Sequence, residues 1–404
     1  MRKLNCLIAL VLILPALSGC APEPSTPTLP PPTATTPVAP TPTPSPDTAP
    51  PTPLITPTPS PDTTPVAPTP TPMPRGTSDP DIYVDVYRSD RAWAGTTLLP
   101  DNHNPEQPRI IEVNMSGEIV WEYLVPQNLK RHTNPGFDVE LLPNNNVLFV
   151  LPKKGVYEID RNGNIIWSYL DNKVTHDADR LPNGNTLIVC GGDDEVSQAQ
   201  VKEISPEGEI VWSWYAKDHF YKSPYKEIDM QGWTHANAVT RLPNGNTLIS
   251  LRNFNFVVEV DPQGAVVRTI GEGVIYYPHD PEALPNGNIL VASQPPLLSS
   301  DPPVIDTSVQ FYPAAEIDPE TGGVVWKFTA TQWSSPRQLA RDVNRLPNGN
   351  TLITGTTEIV EVTPEGEIVW RLRLKATIEK GDAPARGFYK AERIGVESRA
   401  QAAG

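Results

Sequence analysis

Three histidines of this chain stand at related places before a recurring turn sequence, and an arginine follows one of them. His176 and His279 each lie five residues before the leucine of an L-P-N-G-N turn, and His235 lies seven residues before it. Arg252 comes seventeen residues after His235. Imidazole and guanidinium groups donate hydrogen bonds, and arginine keeps its positive charge. If the fold brings these side chains together, the cluster would suit an anion that carries several oxygen atoms.

A longer repeat supplies the elements that must position these residues. Six segments share the pattern of IVEVTPEGEIVWRL, in which two apolar strands flank a turn. Their aligned glutamates are 46, 45, 56, 57 and 45 residues apart: Glu112, Glu158, Glu203, Glu259, Glu316 and Glu361. Five copies place a tryptophan four residues after the turn glycine, whereas the fourth copy has Arg268 there. Repeats of this length predict an all-β fold, a six-bladed β-propeller.

The shorter turn repeat fixes a register across these blades. Pro-Asn-Gly-Asn is hairpin chemistry, because Asn and Gly tolerate the positive φ that such turns need. Versions of it occur at residues 141–146, 180–185, 241–246, 283–288 and 345–350. In the remaining blades the positions that align with the histidines hold Phe137, Arg341 and Tyr389. Because the first strand of a propeller blade lies nearest the central axis, we expect these side chains to meet at one end of the channel.

The ends of the repeat array predict how the ring closes. The first blade begins at Gly95–Leu99, which matches the second strand of the other blades. Residues Tyr389–Ile394 match the missing first strand. We therefore expect the C-terminal segment to complete the first blade, which removes the open edges of the ring.

Outside the repeats, the chain has the marks of export. Residues 1–20 carry a charged start, an apolar run and small residues before Cys20, a pattern typical of a bacterial lipoprotein signal that ends in a lipidated cysteine. Residues 21–80 contain 23 prolines in 60 residues and predict a disordered tether. The expected domains are therefore the signal (1–20), the tether (21–80), the catalytic propeller (81–394) and a disordered tail (395–404). The expected location is extracytoplasmic, with a lipid anchor on the outer face of the bacterial cell membrane.

Charge and cysteine content exclude some partners. The formal net charge is −15 and there is no basic run, which argues against nucleic acid as a partner. If Cys20 is lipidated after cleavage, Cys190 is the only thiol left, so no disulfide framework exists. The sequence leaves the oligomeric state open.

Two strings resemble the bacterial arylsulfotransferase family: WTHANAVTRLPNGNTLISLR (Trp233–Arg252) and YPHDPEALPNGNIL (Tyr277–Leu290). Members of that family are secreted six-bladed propellers that take a sulfuryl group from a phenolic sulfate ester and need no nucleotide donor. The resemblance implies small-molecule aryl sulfates and phenols as substrates, and no metal or other cofactor.

By the same resemblance, His279 is the nucleophile that carries the sulfuryl group, while His235, Arg252 and His176 bind the sulfuryl oxygens. Asn237 and Asn253 are expected to add hydrogen bonds to substrate, and Arg341 and Tyr389 are expected to contact it. The implied reaction is a ping-pong exchange through a sulfohistidine. A neutral imidazole is a competent nucleophile near pH 7, and a phenolate is a good leaving group.

A different class of function remains open. Propellers commonly serve as interaction platforms, so the chain could be a non-catalytic binding or scaffold protein of the cell surface, because fold does not determine function. The segment AAEIDPETGGVVWKF also resembles the repeat of quinoprotein dehydrogenases, but those enzymes have eight blades and an adjacent cysteine pair that this chain lacks. A formylglycine-type sulfatase is excluded because Cys190 is followed by two glycines.

Overall fold

The computed structural model describes residues 76–134, 136–300, 303–306, 308–334, 338–375 and 386–396. All of them belong to one unit that spans residues 65–404. The predicted signal, Cys20 and nearly all of the predicted tether lie outside the described residues, as do residues 397–404.

Most of the described strands form six antiparallel sheets of four or five strands, which we call blades 1 to 6 in chain order, and one further sheet is a two-stranded hairpin. Blade 1 consists of β2 (Gly95–Asp101), β3 (Arg109–Asn114), β4 (Ile119–Leu124) and β27 (Glu392–Gly395). Blade 2 consists of β5 (Val139–Leu141), β6 (Val147–Leu151), β7 (Gly155–Ile159) and β8 (Ile165–Tyr169). Blade 3 consists of β9 (Ala178–Arg180), β10 (Thr186–Val189), β11 (Val201–Ile204) and β12 (Ile210–Trp214).

The second half of the ring repeats this plan. Blade 4 consists of β13 (Ala236–Arg241), β14 (Thr247–Leu251), β15 (Phe256–Val260) and β16 (Val266–Ile270). Blade 5 consists of β17 (His279–Ala283), β18 (Ile289–Ala292), β21 (Ala314–Ile317) and β22 (Val324–Phe328). Blade 6 consists of β23 (Asp342–Arg345), β24 (Thr351–Thr354), β25 (Glu358–Val362), β26 (Ile368–Leu374) and the added strand β1 (Ile82–Tyr87). The predicted all-β, six-bladed propeller is therefore confirmed.

The ring closes from both ends of the chain. Strand β27 pairs with β2, with Leu98 opposite Glu392 and Gly95 opposite Gly395, so the C-terminal strand completes blade 1 as predicted. The repeats do not predict the second closure, in which β1 pairs with the outer strand β26 of blade 6. Strand β1 thus covers the outer edge of blade 6, the blade that lies next to the point where β27 closes the ring.

Two insertions explain the two long steps of the repeat. Between β12 and β13 the chain forms the helix α1 (Lys217–Phe220) and a 3₁₀ turn at Tyr225–Glu227. Between β18 and β21 it forms a hairpin of β19 (Leu297–Ser300) and β20 (Pro303–Ile305). The other short helical turns are Lys130–Thr133, Arg252–Phe254 and Ala330–Gln332.

The two sequence repeats are linked through the repeated glutamate. In blade 4, Gly245 adopts φ +89° at the turn, and the following Asn246 donates through its side-chain amide to Glu259 at 2.6 Å. The same asparagine-to-glutamate bond occurs in four other blades: Asn146 to Glu158, Asn185 to Glu203, Asn288 to Glu316 and Asn350 to Glu361. Each bond ties the turn after the first strand to the third strand of the same blade.

An arginine completes each of these glutamate sites, usually from the next blade. Four arginines occupy one register position near the end of the first strand, and each binds the glutamate of the preceding blade: Arg180, Arg241, Arg345 and Arg393. Each guanidinium also lies over that blade's repeated tryptophan, as Arg241 does over Trp212 at 5.5 Å. Repeated Trp, Glu and Arg therefore join neighbouring blades by an ion pair and a cation–π contact.

The two blades that lack this arginine explain the exception in the repeat. Blade 5 has Ala283 at the register position, and here Arg268 of blade 4, which stands where the tryptophan is expected, binds Glu259 at 2.7 Å. Blade 2 has Leu141 at that position, and Arg161 from a neighbouring turn binds Glu112 at 2.9 Å. Arg268, which replaces the repeated tryptophan of blade 4, thus supplies the cation for Glu259 that blade 5 does not provide.

Candidate active site

The predicted chemistry-bearing residues meet in one cavity at one end of the propeller channel. It has a volume of about 690 Å³. Its walls include all three predicted histidines, both predicted arginines and the predicted tyrosine: His176, His235, His279, Arg252, Arg341 and Tyr389. All of them except Arg252 lie at the start of the first strand of a blade or within three residues before it. Equivalent positions of five separate blades therefore converge near the axis.

His279 is held with its Nε2 on the side of the cavity. Its Nδ1 lies 2.8 Å from the carbonyl oxygen of Tyr277, which can only accept, so Nδ1 carries the proton and Nε2 carries the lone pair. Tyr277 and Asp280 adopt left-handed φ values of +46°, a costly conformation for side-chain-bearing residues. This local backbone directs the His279 ring, which is 6% exposed, toward the cavity.

His235 is positioned by a buried carboxylate that the sequence analysis did not predict. Asp194 accepts hydrogen bonds from the His235 N–H at 3.0 Å and from the Thr234 hydroxyl at 2.7 Å. These bonds hold His235 at φ +47°. Its Nδ1 donates to the Gln231 carbonyl at 2.7 Å, which leaves Nε2 as the acceptor nitrogen.

His176 and Tyr389 bring polar atoms to the cavity wall that have no hydrogen-bond partner among the described residues. The Nδ1 of His176 and the hydroxyl oxygen of Tyr389 are both buried. The His176 ring centroid lies 4.9 Å from that of His235 and 6.2 Å from that of Tyr389. Because an unpaired buried polar group is unfavourable, both atoms are suited to bind a ligand in the cavity.

The two arginines are braced by aromatic rings. Arg252 lies over the ring of Tyr277 at 4.8 Å, and Arg341 lies over the ring of Tyr389 at 5.1 Å. Stacking of this kind restricts the orientation of a guanidinium beside the cavity. Both cations are therefore preorganised beside the histidines.

The two predicted asparagines do not line this cavity. Asn253 donates through its amide to the carbonyl oxygens of Met230 and Gly232, and its Oδ1 accepts from Arg252 at 3.0 Å. Asn237 is buried below the cavity, where its Oδ1 accepts from the Ser250 hydroxyl. It lines a small adjoining pocket together with His176 and His279, and its Nδ2 has no hydrogen-bond partner among the described residues. Asn253 thus orients Arg252 and the loop before His235.

A layer of buried acids lies beneath the cavity, one residue beyond the converging positions. Its ionisable members are Asp138, Asp177, Asp280, Asp342 and Lys390. Lys390 Nζ lies 3.2 Å from Asp138, 3.3 Å from Asp177 and 3.4 Å from Asp280. Burial disfavours the charged lysine, but these carboxylates outweigh it and hold the pKa of Lys390 well above its usual range.

The same acids join the first strands of adjacent blades. The Val239 N–H donates to Asp177 at 2.7 Å, and the Ala391 N–H donates to Asp342 at 2.9 Å. These backbone groups face the axis, where no further strand can pair with them, so the carboxylates satisfy donors that would otherwise be unpaired. The acid layer with Lys390 is therefore the structural floor of the cavity.

The electrostatics of the cavity keep its histidines neutral. Burial, followed by the nearby Arg252, lowers the pKa of His235 to about 4. Burial and then Arg252 also hold the pKa of His279 well below its usual range, and burial together with the neighbouring histidines and arginines does the same for His176. At neutral pH the cavity thus combines neutral imidazoles with two fixed cations.

Metal and membrane features can be described only for the structured part. Within the described ranges, no group of three or more His, Cys, Asp or Glu side chains is arranged to bind a metal ion. None of the helical segments in that part has the length and apolar composition of a membrane span.

Comparison with known proteins points to one family. The model of the arylsulfotransferase (ASST) family matches residues 86–273, which run from β1 through blades 1 to 4 and contain His176, His235 and Arg252. This match supports the arylsulfotransferase family. It supports aryl sulfotransferase activity in general. No curated protein matches the chain significantly.

Solved structures resemble the fold. A Bacteroides caccae protein of unknown function is 18% identical, with a TM-score of 0.51, and the alignment covers 74% of this chain and 98% of that one. Virginiamycin B lyase from Staphylococcus aureus is 12% identical, with a TM-score of 0.44 and coverages of 79% and 92%. A gluconolactonase from Xanthomonas campestris is 10% identical, with a TM-score of 0.45 and coverages of 76% and 90%. At these identities the likeness concerns the fold alone.

Proposed function

We propose that this protein transfers a sulfuryl group from an aryl sulfate ester to a phenolic acceptor, in a ping-pong reaction through a sulfohistidine at His279. The observation that carries the proposal is the His279 Nε2 lone pair, which faces a cavity whose walls also hold Arg252 and Arg341. A nucleophile beside fixed cations is the arrangement that transfer of an anionic group requires.

In the first half-reaction the Nε2 lone pair forms the N–S bond while the S–O bond to the aryl group breaks. The bonding pair leaves on the phenolate oxygen, whose conjugate phenol has a pKa of about 10, so it departs more readily than an alkoxide. In the second half-reaction the oxygen of the acceptor phenol attacks sulfur, its proton passes to solvent water, and the N–S pair returns to Nε2. No electron leaves or enters the system.

The cavity supplies the charge stabilisation for these steps. Arg252 and Arg341 are held by Tyr277 and Tyr389, and so their N–H groups can meet the sulfuryl oxygens without first reorganising. His235 and His176 line the same cavity and can also contact the bound group. The proposed chemistry uses neither a metal nor a nucleotide.

The test uses the purified protein with 4-nitrophenyl sulfate and a second phenol. Release of 4-nitrophenol that requires the acceptor, together with formation of the acceptor sulfate, supports the transferase. Release without any acceptor would indicate a hydrolase. No release with any phenol would favour the alternative, a non-catalytic cell-surface propeller that binds a partner.

The first half-reaction should be nearly independent of pH between about 6 and 8. A protonated imidazole has no lone pair for sulfur, but the pKa of His235 is about 4 and that of His279 is also depressed, so both rings stay neutral in this range. The rate should fall only in more acidic solution. Burst kinetics across the pH range would check this, and a midpoint near 6.5, the ordinary value for histidine, would contradict it.

We also propose that Cys20 carries a lipid that anchors the protein outside the cell membrane. The support is the sequence pattern of residues 1–20 and the proline-rich stretch that follows. The wild-type protein, expressed in a bacterium with its full signal, should partition into a detergent phase, and Cys20→Ala should not. Equal partitioning of the two proteins would refute the anchor.

A further inference from the structure

A glutamine that belongs to neither repeat touches the nitrogen that would attack sulfur. Gln294 follows β18, two residues beyond Ala292, which pairs with His279. Its side-chain Nε2 lies 3.3 Å from the Nε2 of His279. Gln294 is 8% exposed and lines the cavity. It is therefore a buried polar group placed at the reacting atom.

The direction of this hydrogen bond follows from the other side of the imidazole ring. Because His279 Nδ1 donates to the Tyr277 carbonyl, its Nε2 can only accept. An amide oxygen placed against that lone pair would be repelled, so the amide N–H of Gln294 is the group that faces it. Gln294 thus donates to the neutral form of His279.

The main chain around Gln294 keeps this donor in place. Its backbone N–H donates to the Tyr276 carbonyl at 2.8 Å. The preceding Ser293 hydroxyl donates to the same carbonyl at 2.9 Å and accepts from the Tyr276 N–H at 3.0 Å. The segment that carries Gln294 is therefore fastened to the segment that leads into His279.

Formation of the N–S bond at His279 Nε2 changes which acceptor the Gln294 amide can bind. Once the lone pair forms the N–S bond, the ring nitrogen is no longer an acceptor, and the nearest acceptors become the oxygens on the attached sulfur. These oxygens carry negative charge, and hydrogen bonds to charged acceptors are stronger than those between neutral groups. The donor consequently gains strength as the reaction proceeds, which lowers the barrier.

We propose that Gln294 is a further catalytic residue, which orients His279 Nε2 in the free enzyme and donates to the transferring sulfuryl group. This inference rests on the proposed function. It adds a neutral donor to the charged ones already described, and it requires no proton transfer and no co-reactant. The lone pair of Nε2 forms the N–S bond, the aryl oxygen takes the S–O pair, and the glutamine keeps both amide protons throughout.

Two substitutions separate donation from packing. Gln294→Met keeps the length and burial of the side chain but removes the donor, and Gln294→Glu keeps the shape but presents a carboxylate. With 4-nitrophenyl sulfate, Gln294→Met should slow the burst of 4-nitrophenol on the order of 10²-fold, and Gln294→Glu should slow it further by repelling the sulfuryl oxygens. Gln332→Met is the matched control, because Gln332 caps a distant helical turn and donates to the Gly366 carbonyl.

A spectroscopic readout distinguishes this role from a purely structural one. In protein labelled with ¹⁵N-histidine, the Nε2 resonance of His279 should shift in Gln294→Met, since the ring nitrogen loses its donor. In Gln294→Glu, the apparent pKa of His279 should rise, because a carboxylate would join the charged and titratable groups that now face the ring, namely Arg252, Arg341, His235, His176 and Asp280. The Gln332→Met spectrum should match that of the wild type.

The burst rate and the His279 resonance together decide whether Gln294 has the proposed role. A slow burst with a shifted His279 resonance in a folded Gln294→Met protein supports the inference. An active wild-type enzyme whose burst and resonance are unchanged by both Gln294 substitutions overturns the inference and leaves the proposed function standing. A wild-type protein inert toward every aryl sulfate overturns both.

Discussion

Replacing His279 by alanine should abolish sulfuryl transfer, with a loss on the order of 10⁴-fold or more in kcat. The variant keeps both arginines and the other histidines, but it has no lone pair at the position that faces the cavity. Without the nucleophile the two half-reactions cannot be separated, and only direct reaction in the cavity would remain. The effect should appear in the burst as well as in turnover.

The covalent intermediate gives a second measurement of the same prediction. Wild-type protein mixed with an aryl sulfate and quenched without acid should gain the mass of one sulfuryl group, and peptide mapping should place it on His279. His219→Ala is the matched control, because His219 lies outside the cavity and stacks on Trp214 at 6.0 Å. A His279→Ala protein that still forms the adduct would assign the nucleophile to another histidine, with His235 and His176 the first to examine.

Much of this site could be predicted from sequence because the repeats carry its geometry. A turn that recurs in register fixes which residue of each blade reaches the axis, and so His176, His279, Arg341 and Tyr389 could be placed together without coordinates. The buried acid layer could also have been predicted from the sequence. Asp177 and Asp280 directly follow their histidines in the sequence. Because the following position in each blade reaches the axis as well, this recurrence could have indicated the buried acids.

Two other residues of the site could not be predicted from the sequence repeats. Asp194 and Gln294 follow the second strands of blades 3 and 5, in loops of unequal length, so no register relates them to each other or to the histidines. Their roles depend on contacts 41 and 15 residues away along the chain. Asn253 shows that closeness in sequence to a site residue does not by itself predict contact with the cavity. Asn253 is next to Arg252 in sequence, yet its amide faces backbone carbonyls and not the cavity.

The seam of the ring should be the place where one substitution costs the most stability. Arg393 on the closing strand β27 binds Glu361 of blade 6 at 2.9 Å, and both side chains are fully buried. The guanidinium also lies over Trp370 at 4.4 Å and donates to the carbonyl of Trp93 at 2.7 Å. It therefore connects the last strand of the chain to blade 6 and to the segment before blade 1.

Arg393→Met should lower the free energy of unfolding by about 3–5 kcal/mol, because it leaves the Glu361 carboxylate buried without its cation. Arg241→Met is the matched control. It removes the corresponding ion pair and cation–π contact at the same register position, but Arg241 and Glu203 keep 22% and 11% of their side chains exposed, so water can solvate the remaining carboxylate. The control should lose only about 1 kcal/mol. Denaturant unfolding of both variants measures the difference, and equal losses would show that the seam is no more dependent on its ion pair than the interior of the ring.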